Sequence, residues 1–373
     1  MTRKPAKKKR IVSIFIFVLI ALGLILTFAA PRFPVLIEAG YSTSFYKWLS
    51  GPVSRFTGLV PFSVAEFIMV GVGLFCLVQI IRGVIALIKK PKQTLRSSLK
   101  SIGKLVFVLV LLYVGFYMLW GLNYSRLSFA DITGLPVEKA SVKELTALAQ
   151  SLTNRANALR VKVVEDERGV MTLSSSSRQM FARADTGYQR AAVIYPELGG
   201  KFGQPKGVFL SHCWSYTGTS GMYFPFTAEA NVNTDMPHLM QPATATHEMA
   251  HQRGFAREDE ANYLAYLACS LHPDVDFQYS GTVSALLHTM NALYREDIEA
   301  YKAVRKQYCD GLNRDLLDWS EYWAKFEGPV ERVSTNVNDS YLKANRQQDG
   351  VKSYGRMVDL LLAEFRQAQK ERP

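Results

Sequence analysis

The chain begins with long apolar runs and continues as a mixed polar sequence. Three runs, at about residues 11–30, 67–88 and 105–122, carry almost no charge, and the one arginine in the second run, Arg82, lies near its end. A helix needs roughly 20 consecutive apolar residues to cross the hydrocarbon core of a bilayer. We therefore predict three transmembrane helices and a membrane domain over residues 1–122.

The charges that flank these runs predict an orientation. Residues 1–104 contain 16 Lys and Arg against two acids, concentrated before the first run and between the second and third. Because such basic segments remain in the cytoplasm, we expect a multi-pass protein of the cytoplasmic (inner) membrane with a cytoplasmic N-terminus. Residues 123–373 then form an extracytoplasmic domain. A cleaved signal peptide is the alternative for the first run, since "TFAAPR" resembles a cleavage site.

The formal net charge of +12 does not indicate nucleic-acid binding. Residues 105–373 contain 28 Lys and Arg and 30 Asp and Glu, so the positive excess belongs to the membrane part. We expect the lipid bilayer to be a partner of this chain and expect no nucleic-acid partner.

The pattern of the polar domain predicts an α+β fold that is mostly helical. "SVKE" at Ser141–Glu144 has the form of a capping box, and leucines follow it at helical spacing. A second helix is predicted over Arg178–Ile194. "GVFLSHCW" and "GMYFPFTAEANVN" are typical of short strands, which predicts a small sheet. From Ala243 onward the pattern is helical, with long helices expected at Thr282–Gln307 and Ser353–Lys370.

One stretch, "HEMAHQRGFAREDEANYLAYLAC", carries candidate chemistry. Pro242 suits the first turn of a helix and Gly254 suits the position after its end, which predicts a helix over about residues 243–253. His247 and His251 then lie on one face, where two imidazoles can bind one Zn²⁺. Glu248 projects beside them and can accept a proton from a water molecule that the metal activates, as in the known HExxH pattern.

Two acids are candidates for the third metal ligand. Glu258 and Glu260 both lie in the first turn of a predicted second helix, where negative charge is favoured. We choose Glu258, with Glu260 as the alternative. Asn262 lies four residues after Glu258 on the same face, where its amide can hydrogen-bond to a metal-binding histidine and orient it.

A family resemblance can now be stated. HExxH followed by a helix with Glu-x-x-x-Asp resembles the gluzincin clan of zinc peptidases. In that clan the glutamate is the third ligand and the later acid supports the site. Glu258 and Asn262 match this spacing, with Asn in place of Asp, and the resemblance implies a zincin-like domain around an HExxH active-site helix. The separation of His251 from Glu258 is shorter than usual in those enzymes. The metzincin pattern fails at Arg257, because a guanidinium does not bind zinc.

The whole chain is also similar to a bacterial family of membrane proteins catalogued only as a domain of unknown function. The stretches "SYTGTSGMYFPFTAEANVN" and "HEMAHQRGFAREDEANYLAYLAC" carry this resemblance. It implies the layout and the place of the site, and it implies no substrate.

These features together predict a membrane-anchored zinc metallopeptidase that cleaves peptide or protein substrates outside the cytoplasmic membrane, with Glu248 as general base. One alternative is a non-catalytic membrane scaffold or sensor with a structural metal site, in which Glu260 or His272 supplies a fourth ligand. Another is a zinc hydrolase of a non-peptide amide.

A peptidase also needs a cleft. The run Gly221–Phe226 is a candidate edge strand that an extended peptide could join, with an ordinary core strand as the alternative. Glu229 and Asn231 are candidates for the cleft wall. Several side chains are candidate donors to the oxyanion: Tyr223, Tyr263, Tyr266, His212 and His272.

Overall fold

The computed structural model describes residues 4–89, 91–138, 140–345 and 357–370. The chain divides into two compact units. The first comprises Met1–Tyr46 and Val64–Arg126, and the second comprises Lys47–Ser63 and Leu127–Pro373. The segment Lys47–Ser63 therefore belongs to the unit that carries the HExxH stretch, although it lies between apolar runs in the sequence.

The first unit is helical. Its helices are α1 (Lys4–Phe28), α2 (Pro34–Leu36), a π-helix (Ile37–Phe45), α4 (Val64–Lys89) and α5 (Pro91–Leu119). Two stretches, Val64–Lys89 and Ile102–Leu119, are long and apolar enough to cross a membrane, and they contain most of the predicted spans 67–88 and 105–122. The predicted span at 11–30 falls in and just after α1. This stretch is long and apolar enough to cross a membrane only when it is taken together with the helix that follows. The two helices, Phe17–Arg32 and Pro34–Thr57, form a pair bent by 106°.

The second unit is mostly helical with two small sheets. The helices are α3 (Tyr46–Thr57), α6 (Phe129–Thr133), α7 (Val142–Arg160), α8 (Ser177–Arg183), α9 (Asp185–Ile194), α10 (Ser211–Ser215), α11 (Gln241–Gln252), α12 (Glu258–Leu271), α13 (Val275–Glu296), α14 (Ile298–Arg305), α15 (Asp310–Ala324), α16 (Pro329–Ala344) and α17 (Met357–Lys370). The strands are β1 (Val164–Glu165), β2 (Met171–Thr172), β3 (Lys206–Gly207), β4 (Gly221–Phe224) and β5 (Glu229–Val232).

Local sequence signals explain several helix starts. Ser141 caps α7 in a capping box with Glu144, as the "SVKE" stretch predicts. Ser176 caps α8 in the same way with Gln179, so the serine run begins a helix. The helix predicted over 178–194 is two helices, because the chain bends at Ala184 between α8 and α9.

Other predictions differ from the structure. "GVFLSHCW" contributes only part of the two-residue strand β3, and its second half is α10, where Ser211 Oγ donates to the Val208 carbonyl at 2.7 Å. The helix predicted over 282–307 is α13 and α14, which are separated by Asp297, the N-cap of α14. Of the helix predicted over 353–370, residues 353–356 lie outside the described residues and α17 accounts for the remainder.

The larger sheet places β4 at an edge. Its order is β3-β5-β4, with β3 parallel and β4 antiparallel to β5, and Gly221 pairs with Val232 and Phe224 with Glu229. The helix α11 packs beside this sheet and forms one core with α12 and α13. The HExxH helix is therefore held between a strand edge and two helices.

Candidate metal centre

Three side chains from two consecutive helices converge. His247 and His251 lie on α11, with their rings 4.7 Å apart between centroids and perpendicular. Glu258 is the first residue of α12, and its carboxylate oxygens lie 3.3 Å from Nε2 of His247 and 3.6 Å from Nε2 of His251. One donor atom from each residue lies within 4.8 Å of the other two, so the group could hold a metal ion.

A tight turn between the helices brings Glu258 back to the histidines. Gly254 has a φ of 88°, a conformation that glycine adopts without steric cost. Its N–H donates to the carbonyl of His251 at 2.8 Å, and the N–H of Phe255 donates to Ala250 at 3.1 Å. These two bonds form a Schellman motif, which ends α11 and reverses the chain. The turn explains why so few residues separate His251 from Glu258.

A backbone carbonyl orients one of the two imidazoles. Nδ1–H of His251 donates to the Phe255 carbonyl at 2.7 Å, which leaves Nε2 as the nitrogen with a lone pair toward Glu258. The side chain of Asn262 lies near His247 and helps to raise the pKa of that histidine. Its Nδ2 is buried and has no hydrogen-bond partner among the described residues. The Phe255 carbonyl has no signal in the sequence, because a backbone group is identified only once the turn is known.

Glu248 lies on α11, the helix of the two histidines, and its side chain approaches the edge strand β4. It is buried, and its Oε2 has no hydrogen-bond partner among the described residues. A Cβ atom placed on Gly221 of β4 would lie 2.5 Å from Oε1 of Glu248, so only glycine allows this approach. The backbone of Tyr223 donates a hydrogen bond to the same carboxylate. The glycine in a strand sequence was a signal for such an approach.

Burial and neighbouring charges shift the protonation of the three central groups in different directions. Burial raises the pKa of Glu248 to about 8, against the lowering effect of His247. Burial lowers the pKa of His251 to about 4. Burial also lowers the pKa of His247, but the hydrogen bond and charge of Glu258 outweigh it, so the pKa of His247 is raised.

Glu260 lies elsewhere. Its Oε1 accepts the Phe129 N–H at 2.9 Å, at the start of α6, and pairs with Nη1 of Arg257 at 2.8 Å. The side chain is buried in these contacts. The structure brings Glu258, and not Glu260, to the histidines.

The other candidate residues have separate surroundings. Nε2 of His272 lies 3.0 Å from the Arg183 carbonyl and its ring stacks on Phe277, while Nδ1 of His212 lies 2.9 Å from Asp235. Tyr263 and Tyr266 are core residues of α12. Of the five candidate oxyanion donors, Tyr223 is the one whose backbone contacts the site.

The two candidates for the cleft wall are held within the sheet. Glu229 accepts a hydrogen bond from the buried ammonium of Lys206, so its carboxylate belongs to an ion pair. Asn231 donates from Nδ2 to the Met222 carbonyl across the β4–β5 pair at 3.2 Å.

Fold and site together define a mostly helical protein with membrane-length helices and a partly buried His, His, Glu cluster. The family model described as "Protein of unknown function (DUF3810)" matches residues 41–362, and the chain belongs to this family. Comparisons with curated proteins and with solved structures give no match.

Proposed function

We propose that this chain is a membrane-anchored, zinc-dependent metallopeptidase whose catalytic domain lies outside the cytoplasmic membrane. The convergence of His247, His251 and Glu258 beside the buried Glu248 carries the proposal. The extracytoplasmic placement rests on the basic segments described above, which favour the cytoplasm.

The donor set fits zinc. An ion bound tetrahedrally at about 2.0–2.1 Å places its ligand atoms about 3.4 Å apart, since the angle between ligands is tetrahedral. The separations between Glu258 and the two Nε2 atoms, 3.3 and 3.6 Å, are close to that value. Two neutral imidazoles and one carboxylate are the ligands of well-known catalytic zinc sites.

The chemistry divides between the ion and the protein. A zinc ion held by His247, His251 and Glu258 would polarise the substrate carbonyl and make water a stronger nucleophile. Glu248 accepts a proton from the attacking water through its carboxylate and donates it to the nitrogen of the breaking peptide bond. Its Oε2, buried without a hydrogen-bond partner among the described residues, is the atom we assign to this transfer.

An extended peptide suits the geometry beside Glu248. β4 is an edge strand, and Gly221 and Tyr223 contact the Glu248 carboxylate directly. A substrate that adds to such an edge through backbone hydrogen bonds is held alongside the proton acceptor. This arrangement favours a peptide over a non-peptide amide.

The scaffold alternative requires a closed site with a fourth protein ligand. Among the described residues the cluster has three members. Both residues considered for the fourth position, Glu260 and His272, are engaged in other contacts. These observations favour an open coordination position, as a hydrolytic site requires.

The test uses the full chain in lipid nanodiscs, as wild type and as Glu248→Gln. Bound zinc is measured by mass spectrometry, and cleavage of a mixed peptide library is followed by liquid chromatography and mass spectrometry. We expect zinc in both proteins and cleavage only by the wild type. Glu299→Gln is the matched control, because that carboxylate is exposed on α14, and it should behave as wild type.

Two outcomes contradict the proposal. Zinc in both proteins without cleavage by either supports the structural-metal alternative. Absence of stoichiometric zinc in the wild type contradicts both the peptidase proposal and the structural-metal alternative.

A further inference from the structure

The helix α3 and the turn after it carry three large apolar side chains on the outside. Trp48, Phe56 and Leu59, in α3 and the turn after it, are 71%, 75% and 78% exposed. Its inward face carries Ser50, Ser54 and Thr57, all buried. A surface helix of a water-soluble domain has the opposite arrangement, with apolar residues inward and polar residues in water.

The inward face is packed closely against the remainder of the second unit. The N–H of Gly203 donates to Ser54 Oγ at 3.0 Å, and Thr57 Oγ1 donates to the Thr227 carbonyl at 3.0 Å. A Cβ atom on Gly203 would lie 2.2 Å from the Ser54 carbonyl oxygen, so the two backbones almost touch. Small residues at a helix contact with large apolar residues on the other side are characteristic of helices in lipid.

A buried lysine fixes the end of this segment to the sheet. Nζ of Lys206, in β3, donates to the carbonyls of Thr57 at 2.6 Å and Phe62 at 2.9 Å and pairs with Glu229 at the start of β5. β5 in turn pairs with β4, the strand that contacts Glu248. The segment is therefore a rigid part of the domain that carries the metal cluster.

We propose that the face formed by Trp48, Phe56 and Leu59 lies in the headgroup and acyl-chain boundary of the bilayer. Lipid is the occupant because the chain continues into a membrane-length helix at Val64, directly after this segment, and because Pro34–Thr57 itself belongs to the bent apolar pair. Trp48 suits the interface, where tryptophan is enriched, and the exposed Arg55 can approach anionic headgroups.

The test is site-directed spin labelling of the full chain in nanodiscs of phosphatidylcholine and phosphatidylglycerol. A nitroxide is attached to Phe56→Cys or Leu59→Cys, with Cys76, Cys213 and Cys309 replaced by serine. The fourth cysteine, Cys269, is fully buried and does not react. Collisions with oxygen, which concentrates in lipid, and with a water-soluble nickel chelate are measured by power saturation.

Two reference positions calibrate the depth. The native Cys76 is exposed on the apolar helix α4 and reports acyl chains, and Val161→Cys, at a residue 80% exposed in the second unit, reports water. We expect the labels at 56 and 59 to fall between the two references, with nickel collisions several-fold below those of position 161. The native melting profile checks that each variant is folded.

Three results overturn this placement. Nickel accessibility equal to that of position 161 would place the face in water. Low accessibility to both reagents would show that protein covers it, either a second copy or another chain. A depth equal to that of Cys76 would show full insertion in place of an interfacial position. None of these results depends on whether the site is a peptidase.

Discussion

Glu258 and Glu260 lie two positions apart on one helix and have different roles in the structure. Two residues along an α-helix correspond to a rotation of about 200°, so the two side chains leave α12 on nearly opposite sides. The carboxylate of Glu258 lies beside the histidines, and that of Glu260 accepts the first N–H of α6 and pairs with Arg257. One helix turn thus supplies both a candidate ligand and a structural contact.

This difference can be measured with two matched substitutions. Glu258→Gln should weaken zinc binding by more than about 100-fold, beyond the 10–100-fold that follows loss of a residue that only supports a ligand. Glu260→Gln should leave zinc affinity nearly unchanged. It should instead lower the melting temperature by several degrees, because a hydrogen bond to a buried charged group contributes about 1.5–3 kcal/mol.

Zinc titration against a chromophoric chelator and thermal unfolding of the metal-free protein in nanodiscs give the two values. If Glu260→Gln weakened zinc binding and Glu258→Gln did not, Glu260 would be the third ligand and the choice of Glu258 would be wrong.

At the scale of elements, the edge strand and the HExxH helix meet at Gly221. A methyl group at this position would lie 2.5 Å from Oε1 and 2.8 Å from Cγ of Glu248. Gly221→Ala should therefore displace the Glu248 carboxylate while the metal-binding side chains keep their contacts. We expect kcat/KM for a cleaved peptide to fall about 100-fold, the cost of a catalytic group misplaced by about 1 Å.

Zinc affinity should not change in Gly221→Ala, which separates displacement of Glu248 from loss of the metal. Gly328→Ala is the matched control, because a Cβ atom there meets nothing within 4 Å. If Gly221→Ala retained full activity, Glu248 would not be held where the proposed proton transfer needs it.

The sequence predicts some elements of the site and leaves others undetermined. Pro242 and Gly254 bracket the HExxH helix, and these two residue types act locally, so the observed helix, Gln241–Gln252, is close to the predicted 243–253. The choice between Glu258 and Glu260 depends on the rotational phase of α12. That phase follows from the hydrogen bonds of the turn after Gly254, which no periodicity in the sequence shows.

The segment before α4 shows a different limit. Residues 31–62 lie between the first two predicted spans, and the sequence predicts no helix for them. The structure has helices there, with serines and a threonine inward and aromatic residues outward. Hydrophobic patterns indicate which face avoids water, and they do not distinguish a protein core from lipid.

At the scale of the whole molecule, the chain passes between the two units at three points. They lie between Tyr46 and Lys47, between Ser63 and Val64, and between Arg126 and Leu127. Two of these junctions are close in sequence to the membrane-length stretches, which begin at Val64 and end at Leu119. If the chain is the proposed peptidase, a domain tethered in this way would meet substrates of the same membrane at a high effective concentration.

This tethering gives an expectation that rests on both the proposed peptidase activity and the interfacial helix. A peptide that the enzyme cleaves in solution is joined by a short flexible linker to a single transmembrane helix. It is then placed either in the same nanodisc as the enzyme or in separate nanodiscs. Cleavage in the same nanodisc should be about tenfold faster or more, because the encounter becomes confined to one membrane.

Phe56→Ser with Leu59→Ser should reduce this advantage and leave cleavage of the soluble peptide unchanged, since both side chains are exposed and belong to no contact of the metal cluster. Equal rates in the two arrangements, with the soluble peptide cleaved, would show that membrane-tethered chains are not the preferred substrates. The proposed peptidase activity would not be affected by that result. If neither the soluble nor the tethered peptide were cleaved, the hydrolytic role itself would fail. The interfacial position of α3 would then still be judged by the spin-label depths alone.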